Sequence, residues 1–249
     1  MKAFLLGIGI LLSVHAQADV KVWGAGLPVG NGLARTYINL DCDGKPTAIG
    51  IGMQGATLDG LPSQMHMYDY ILPMPEFYNL PPFEHVMLNW NPHGHDPIEI
   101  YGAPHFDFHF YMMSNEDRMK ITCMGDDAAV CVKDPGADYT PQYFAPTPAG
   151  VPQMGWHWID TRSGEFHGQP FTATMIYGFY DGKMAFVEPM ITRDFMLSKM
   201  PAGTDFPTPT KVHKSGQYPT HYDLTFDSVQ DMYFIEMNKL VEMQGDTGT

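Results

Sequence analysis

Residues able to ligate metals or to transfer protons are concentrated between Pro92 and Tyr111. This segment holds four of the eleven histidines of the chain, and from His105 onward it alternates strictly between polar and apolar side chains. Successive side chains of a strand point to opposite faces, so we predict a strand with His105, Asp107 and His109 on one face. Imidazole beside carboxylate is typical of metal sites and of acid–base chemistry. The competing interpretation is an exposed, His-rich edge with no role.

The spacing along this strand limits how its side chains can share an ion. Residues two apart on an extended strand are separated by roughly 6.6 Å, and residues four apart by roughly 13 Å. Asp107 can therefore share one ion with either histidine. His105 and His109 can converge on one ion only if the chain bends after Pro104 or contains a bulge. Otherwise the two histidines serve two ions, or one binds a metal and the other a substrate.

A second group of candidate ligands precedes the strand and reads His93-Gly-His95-x-x-x-Glu99. The spacing resembles part of the cupin metal motif, and this resemblance implies a metal held inside a small β-barrel by three histidines and one glutamate. The similarity is partial, because the flanking glycines of cupins are displaced and Pro92 and Pro97 favour a loop. We retain His95 as a candidate ligand without predicting a cupin.

Glu188 is predicted to lie on an apolar face of a hairpin. Asp181-Gly182 between two strand-like runs favours a two-residue type I′ turn, which pairs Met175 with Glu188. In that register the carboxylate shares its face with Phe186, Met184, Met175, Tyr177 and Phe179. A carboxylate in such surroundings should be neutral, paired or metal-bound, because burial of an isolated charge is costly. The alternative is that the face ends at a rim and that Glu188 is hydrated.

His157 lies between two tryptophans, so it is either a packed core residue or a ligand. The predicted metal ligands are His95, His105, His109, Glu188 and His157. Zinc is the first choice, because imidazole and carboxylate suit it and it needs no redox partner. Copper and iron are the alternatives.

The composition restricts the partners. Hydrophobic residues make up 44% of the chain and charged residues only 17%, which suits a sizeable core and excludes a disordered chain. The net charge of −14 repels nucleic acid and anionic lipid, since both require basic patches. We expect a metal ion and a small-molecule substrate as partners, with no nucleic acid and no stable membrane insertion. Aromatic-rich strands with exposed edges favour a homo-oligomer.

The first eighteen residues have the three zones of a secretory signal peptide. These are Lys2, an apolar run over 3–14, and the cleavage site Ala16-Gln17-Ala18. A membrane anchor is the competing interpretation, but the run is shorter than the roughly 20 residues needed to span a bilayer. We expect export to the periplasm or the medium, with residues 19–249 as one mature domain.

An oxidising compartment would allow one disulfide among the three cysteines. Cys123 and Cys131 flank a segment with turn signals, so a local bridge between them is the first choice. Pairing of Cys42 with either of them is the alternative. The sequence contains no C-x-x-C spacing, so a Cys-based zinc ribbon or a thioredoxin-type centre is not expected.

Short runs rich in aromatic and β-branched residues, separated by turn signals, indicate a mainly β fold. We predict hairpins at Asp43-Gly44 and Asp181-Gly182, two more strands within 220–240, and a short helix over 82–89.

Pro-rich stretches over 134–152 and 201–219 are predicted to be long surface loops. The favoured architecture is a single β-barrel or sandwich-like domain with long Pro/Gly-rich loops and few short helices. A split near residue 140 into two β domains is the alternative.

Several blocks of sequence resemble a secreted bacterial family of unknown function typed by a Thermus anti-sigma-controlled protein. The blocks are Gly94-His95-x-Pro97, 104–111, 154–160, 170–182 and 188–192. The resemblance extends over most of residues 30–240. It implies a β-rich secreted domain and supplies no activity that could be transferred.

Three classes of function remain open. The favoured hypothesis is a metal-binding protein whose site keeps an open position and supports hydrolase-type chemistry. A non-catalytic sequestration or stress protein would instead have a closed coordination shell. In the third class, a barrel uses the same polar face to bind a small molecule without a metal.

Overall fold

The computed structural model describes residues 20–246, so the predicted signal peptide lies outside the described residues. Sixteen strands occur in this part of the chain: β1 Val20–Trp23, β2 Leu27–Val29, β3 Gly32–Leu40, β4 Pro46–Gln54, β5 Tyr68–Pro73, β6 His85–Asn91, β7 His105–Tyr111, β8 Phe144–Val151, β9 Gly155–Asp160, β10 Ala173–Tyr180, β11 Lys183–Thr192, β12 Ala202–Asp205, β13 Gly216–Tyr218, β14 His221–Asp227, β15 Met232–Asn238 and β16 Val241–Met243. The helical segments are short: α1 Ile98–Tyr101, α2 Asn115–Arg118, α3 Asp127–Cys131, α4 Arg193–Leu197, and the 3-10 turns Gly55–Leu58 and Gly164–His167.

Most strands belong to two seven-stranded sheets with antiparallel pairing. Sheet 1 has the order β1-β3-β4-β15-β14-β12, with β2 also paired to β3, and sheet 2 has the order β5-β6-β7-β11-β10-β9-β8. Strands β13 and β16 form a separate pair. The fold is therefore mainly β, and because both strand orders are open, no barrel closes within residues 20–246.

Buried side chains from both large sheets form one hydrophobic core. Strand β7 contributes Phe106, Phe108 and Phe110, and sheet 1 contributes residues such as Ile49 and Ile235. Full burial of each such side chain stabilises the fold by about 1.5–3 kcal/mol. Because strand side chains alternate, His105, Asp107 and His109 of β7 point away from this core, to the other face of sheet 2.

Both predicted hairpins and the two predicted C-terminal strands are present. Strands β3 and β4 pair around the Asp43-Gly44 turn, β10 and β11 pair around Asp181-Gly182, and β14 pairs with β15. The first two turns contain an Asp-Gly pair, and the connection between β14 and β15 is flanked by Asp227 and Asp231. Asp and Gly are common in turns, because Gly adopts positive φ freely and Asp tolerates it.

The predicted register of the second hairpin is wrong by one residue. Glu188 pairs with Ile176 rather than with Met175, because the ladder shifts between Gly178 and Phe179. Phe179 pairs with Met184 and Gly178 with Phe186, so β11 contains one extra residue, as in a β-bulge. A one-residue slip exchanges the two faces of a strand, and Glu188 consequently lies on the face opposite Tyr177 and Phe179.

Three expectations about local structure are also wrong. The segment predicted as a helix over 82–89 contains most of β6, whose interior position in sheet 2 leaves all seven of its residues buried. Burial on both faces removes the alternation that identifies a strand. The predicted loop over 134–152 contains β8, an edge strand where proline is tolerated. The predicted loop over 201–219 contains β12 and β13.

Cys123 and Cys131 form a disulfide, and Cys42 is free and exposed. The first-choice pairing is thereby confirmed. The bridge lies in the long segment between β7 and β9.

Within the described residues, no helix has the length and apolar character needed to cross a bilayer.

Candidate metal centre

The polar face of β7 is buried in the interior of sheet 2. β7 lies between β6 and β11, and all seven of its residues are buried. His105, Asp107 and His109 are each at most 2% exposed. The competing interpretation of an exposed, His-rich edge is therefore wrong. Three ionisable side chains on a buried face require either partners or a bound ion.

One group of donor atoms, called here the first group, consists of His95, His105 and Asp107. His105 Nε2 lies 3.1 Å from Asp107 Oδ1, and His95 Nε2 lies 3.8 Å from Asp107 Oδ2. His95 comes from the loop after β6, which folds back so that the His95 N–H donates to the Tyr101 carbonyl over 3.2 Å. This fold requires Gly94, which has a φ of +66° and lies where a Cβ would overlap the Tyr101 carbonyl.

Neighbouring carbonyls orient both imidazoles of the first group. His105 Nδ1 donates to the Ala103 carbonyl over 2.7 Å, and His95 Nδ1 donates to the Asp96 carbonyl over 2.9 Å. A carbonyl oxygen only accepts hydrogen bonds, so the proton sits on Nδ1 and Nε2 is the atom directed at Asp107. Metal-binding histidines are commonly held in this way by an outer partner.

A second group of donor atoms consists of His109, His157 and Glu188. His109 Nε2 lies 3.4 Å from Glu188 Oε1, and His157 Nε2 lies 3.7 Å from Glu188 Oε2. Val187 pairs with Phe110 across the ladder, and Met190 with Asp107. Counting along this register places Glu188 beside His109. One carboxylate therefore stands between two imidazoles from different strands.

His157 reaches Glu188 across an intervening strand that carries no side chain at the critical position. Strand β10 separates β9 from β11, and its Gly178 pairs with His157 on one side and with Phe186 on the other. A Cβ at Gly178 would overlap the Phe186 ring. That ring packs 4.7 Å from the His109 ring and 5.3 Å from the His157 ring. Gly178 thus allows the second group to form.

Charge is distributed differently in the two groups. Burial would lower the pKa of His105 and raise that of Asp107, but their mutual attraction is stronger. The pKa of His105 is consequently raised, and the pKa of Asp107 lies well below its usual range. Without a metal, this attraction favours the charged forms of the His105 imidazole and the Asp107 carboxylate.

The second group is neutral when no ion is bound. Burial lowers the pKa of His109 to about 3 and that of His157 to about 4. Burial, followed by the nearby charge of Asp107, raises the pKa of Glu188 well above its ordinary value. In such a buried cluster, the uncharged forms of the carboxyl group and the two imidazoles have the lowest free energy.

Several donor atoms at this centre are buried and lack any hydrogen-bond partner. They are both ring nitrogens of His109, His157 Nδ1 and Glu188 Oε2. His105 Nε2 and Asp107 Oδ1 also make no aligned hydrogen bond, although they lie 3.1 Å apart as an ion pair. Buried polar atoms in folded proteins are nearly always paired, and an exception calls for an explanation such as a bound ion. Asp107 Oδ2, by contrast, accepts from Asn91 Nδ2 over 2.7 Å, which fixes the carboxylate.

A cavity of about 840 Å³ opens above the two groups. Asp107, Glu188 and His157 lie among its lining residues. The rest of the wall is largely apolar and includes Met154, Ile159, Ile176, Met190, Ile98 and Val151. Pockets of about 300–1,000 Å³ with apolar walls and a few convergent polar groups are typical binding sites for small molecules.

The structure brings all five predicted ligands to this centre but divides them between two groups. His95 and His105 belong to the first group, and His109, His157 and Glu188 to the second. The ligand set predicted from the sequence omits Asp107, although the alternation of β7 already placed it on the same face. His93 and Glu99 belong to neither group, and Glu99 lies on α1, so the cupin-like spacing does not describe this site.

Comparison with known proteins gives one match. Residues 41–90 match the model of the TTHB210-like family, described as hypothetical protein TTHB210, and no curated protein and no solved structure matches the chain. The matched segment runs from the turn before β4 to nearly the end of β6 and contains none of the six donor residues. Over residues 41–90 the chain thus resembles a Thermus-typed family of unknown function. This confirms the predicted resemblance, although the matched segment contains none of the sequence blocks that suggested it.

Proposed function

We propose that this protein binds a divalent transition metal through the His/Asp/Glu cluster on sheet 2, with zinc as the first choice and copper or iron as alternatives. The observation that carries the proposal is the set of buried donor atoms without a hydrogen bond on His109, His157 and Glu188, beside the buried ion pair of His105 and Asp107. Nitrogen and oxygen donors of these kinds are the usual ligands of zinc.

The distances between donor atoms support the same conclusion. Zinc bonds of about 2.0–2.1 Å place the ligands of a tetrahedral shell roughly 3.3 Å apart. The four nitrogen–oxygen distances within the two groups run from 3.1 to 3.8 Å. In the second group, two neutral imidazoles face one carboxyl group, whose single proton can satisfy only one of them. A cation between them would remove that conflict.

The cavity favours an open site over closed metal storage. Asp107, His157 and Glu188 face a space of about 840 Å³, so a ligand from solution can approach the donor atoms. When bound, a zinc ion with an open position acts as a Lewis acid that activates water for hydrolysis. The protein itself would orient the imidazoles, hold the carboxylates and surround an apolar ligand. Metal-dependent hydrolysis is therefore the favoured activity, and sequestration is the alternative.

Two further proposals concern the setting of this site. The disulfide between Cys123 and Cys131 supports export to the periplasm or the medium, since such bridges persist in oxidising compartments. The shared core of the two large sheets supports a sandwich-like arrangement.

Elemental analysis after loading with Zn²⁺ and desalting tests the metal proposal. We expect at least one equivalent of zinc in the protein and a clear loss in Glu188→Gln, which keeps the size of the side chain but removes an anionic ligand. His167→Ala is the matched control, because His167 belongs to neither group and should leave the zinc content unchanged. Less than about a tenth of an equivalent in the unaltered protein would overturn the proposal.

Cobalt(II) substitution separates an open site from a closed one. If the position facing the cavity is open, added azide should change the visible absorption of the cobalt protein. An unchanged spectrum would contradict the hydrolase interpretation and favour sequestration.

A further inference from the structure

The six donor residues cannot all bind one ion in the arrangement they adopt. Two ligands of a single zinc ion lie at most about 4.2 Å apart, twice the bond length. The six donor residues do not form one group with donor atoms within 4.8 Å of one another but fall into two groups of three that do, so some pairs across the groups lie beyond the 4.2 Å limit. Asp107 and His109 leave the same face of β7 two residues apart, a separation of roughly 6.6 Å along the strand.

Each set is complete in itself. Both contain two imidazoles and one carboxylate, and in both the carboxyl oxygens face Nε2 atoms. Both also contain buried donor atoms that make no hydrogen bond, such as His105 Nε2 in the first and Glu188 Oε2 in the second. Two histidines and one carboxylate are a sufficient protein ligand set for zinc with an open position.

The two sets also face the same space. His95 and Asp107 from the first group and His157 and Glu188 from the second all line the cavity. A ligand in that cavity could therefore contact both sets at once.

We infer that the centre holds two divalent ions, one bound by His95, His105 and Asp107 and the other by His109, His157 and Glu188. This inference rests on the proposed function, because it specifies how many ions the same cluster binds. It assigns the cavity to an uncharged or weakly anionic small molecule with an apolar body and an oxygen atom directed at the ions.

The number of ions bound by matched variants tests this inference. One histidine in each group is partly accessible, with side-chain exposures of 39% for His95 and 13% for His157, so its replacement by alanine should spare the fold. His93→Ala serves as the control, because His93 lines the same cavity but belongs to neither group. The metal-free proteins are loaded with Zn²⁺, desalted and analysed for zinc, and circular dichroism checks that each variant is folded.

Two equivalents are expected in the unaltered protein and in His93→Ala, one in His95→Ala, one in His157→Ala, and none in the double variant. One equivalent in the unaltered protein, abolished by either single replacement, would overturn the two-ion inference but support the metal proposal. No bound zinc in the unaltered protein would overturn both. Loss of an ion in His93→Ala would contradict the ligand assignment.

Discussion

Single side chains set the charge of the candidate metal centre in the absence of an ion. Asp107 stays ionised because His105 stands beside it, whereas burial keeps Glu188 protonated and His109 and His157 neutral. A divalent cation would therefore replace protons at both groups. A further histidine, His85, is buried outside either group and stacks on Tyr111 at a ring distance of 4.8 Å.

His85 should make the stability of the metal-free protein depend on pH. Burial, with a contribution from Arg118, lowers the pKa of His85 to about 4 in the folded chain, against 6.5 for an ordinary histidine. Between these values the unfolded chain binds more protons, so stability falls as the pH decreases from 6.5 to 4. Relative to His85→Phe, the free energy of unfolding should drop by up to about 1.4 kcal/mol per pH unit.

Urea unfolding of both proteins at several pH values measures this difference. A chelator is present throughout as the control, because it removes any contribution of bound metal. Parallel pH profiles for the two proteins would contradict the prediction.

At the scale of elements, the β10–β11 hairpin determines whether Glu188 belongs to the core or to the candidate metal centre. The ladder shift beside Gly178 turns Glu188 and Phe186 to the face opposite Tyr177. A regular two-residue turn without this shift would direct Glu188 into the apolar core, where a carboxyl group would be unsatisfied. The extra residue in β11 is therefore part of the site.

Replacement of Gly178 should damage both the hairpin and the second group. In Gly178→Ala the new methyl group overlaps the Phe186 ring, and forced overpacking of this kind costs about 1–3 kcal/mol. Displacement of Phe186 also disturbs the His109 and His157 rings that it contacts. We expect a lower unfolding free energy in chemical denaturation and weaker zinc binding by the second group.

Gly26→Ala is the matched control for this replacement. A Cβ at Gly26 meets no atom closer than 3.9 Å, so the change should stay within about 0.5 kcal/mol. Equal stabilities of Gly178→Ala and Gly26→Ala would show that the close approach of Phe186 has no energetic consequence.

At the scale of the whole molecule, segments distant in sequence cover the face of sheet 2 that carries the candidate metal ligands. The loop after β6 supplies His95, and β8 supplies the cavity wall at Thr147 and Val151. The disulfide helps to hold β8, because Gly150 packs directly against Cys131 and a Cβ at Gly150 would overlap its sulfur. The cover of the site thus depends on a covalent link within the segment 112–154.

Removal of this link should destabilise the whole fold. Closure of a loop of eight residues contributes about 2.5 kcal/mol in the chain-entropy relation. The double replacement of Cys123 and Cys131 by serine should therefore lower the free energy of unfolding by about 2–3 kcal/mol. Cys42→Ser is the control, since Cys42 is exposed and unpaired, and its stability should match that of the unaltered protein. A double variant as stable as Cys42→Ser would contradict the prediction.

Local sequence determined much of this protein by itself. Alternation along 105–111 defined a strand with a His/Asp face, Asp-Gly turns defined two hairpins, and the short separation of Cys123 and Cys131 favoured their pairing. These features depend on near neighbours in the chain, where side-chain period and turn preference act directly. The mainly β character followed from the same patterns.

Only the tertiary structure decided how the candidate ligands are grouped. Whether the face of β7 is buried depends on β6 and β11, and whether Glu188 meets His109 and His157 depends on one extra residue in β11 and on Gly178. The position of His95 depends on how a loop folds back over the sheet. Donor atoms must lie within a few ångströms of one another to bind an ion, and such distances between separate strands are set by packing and register rather than by spacing in the sequence.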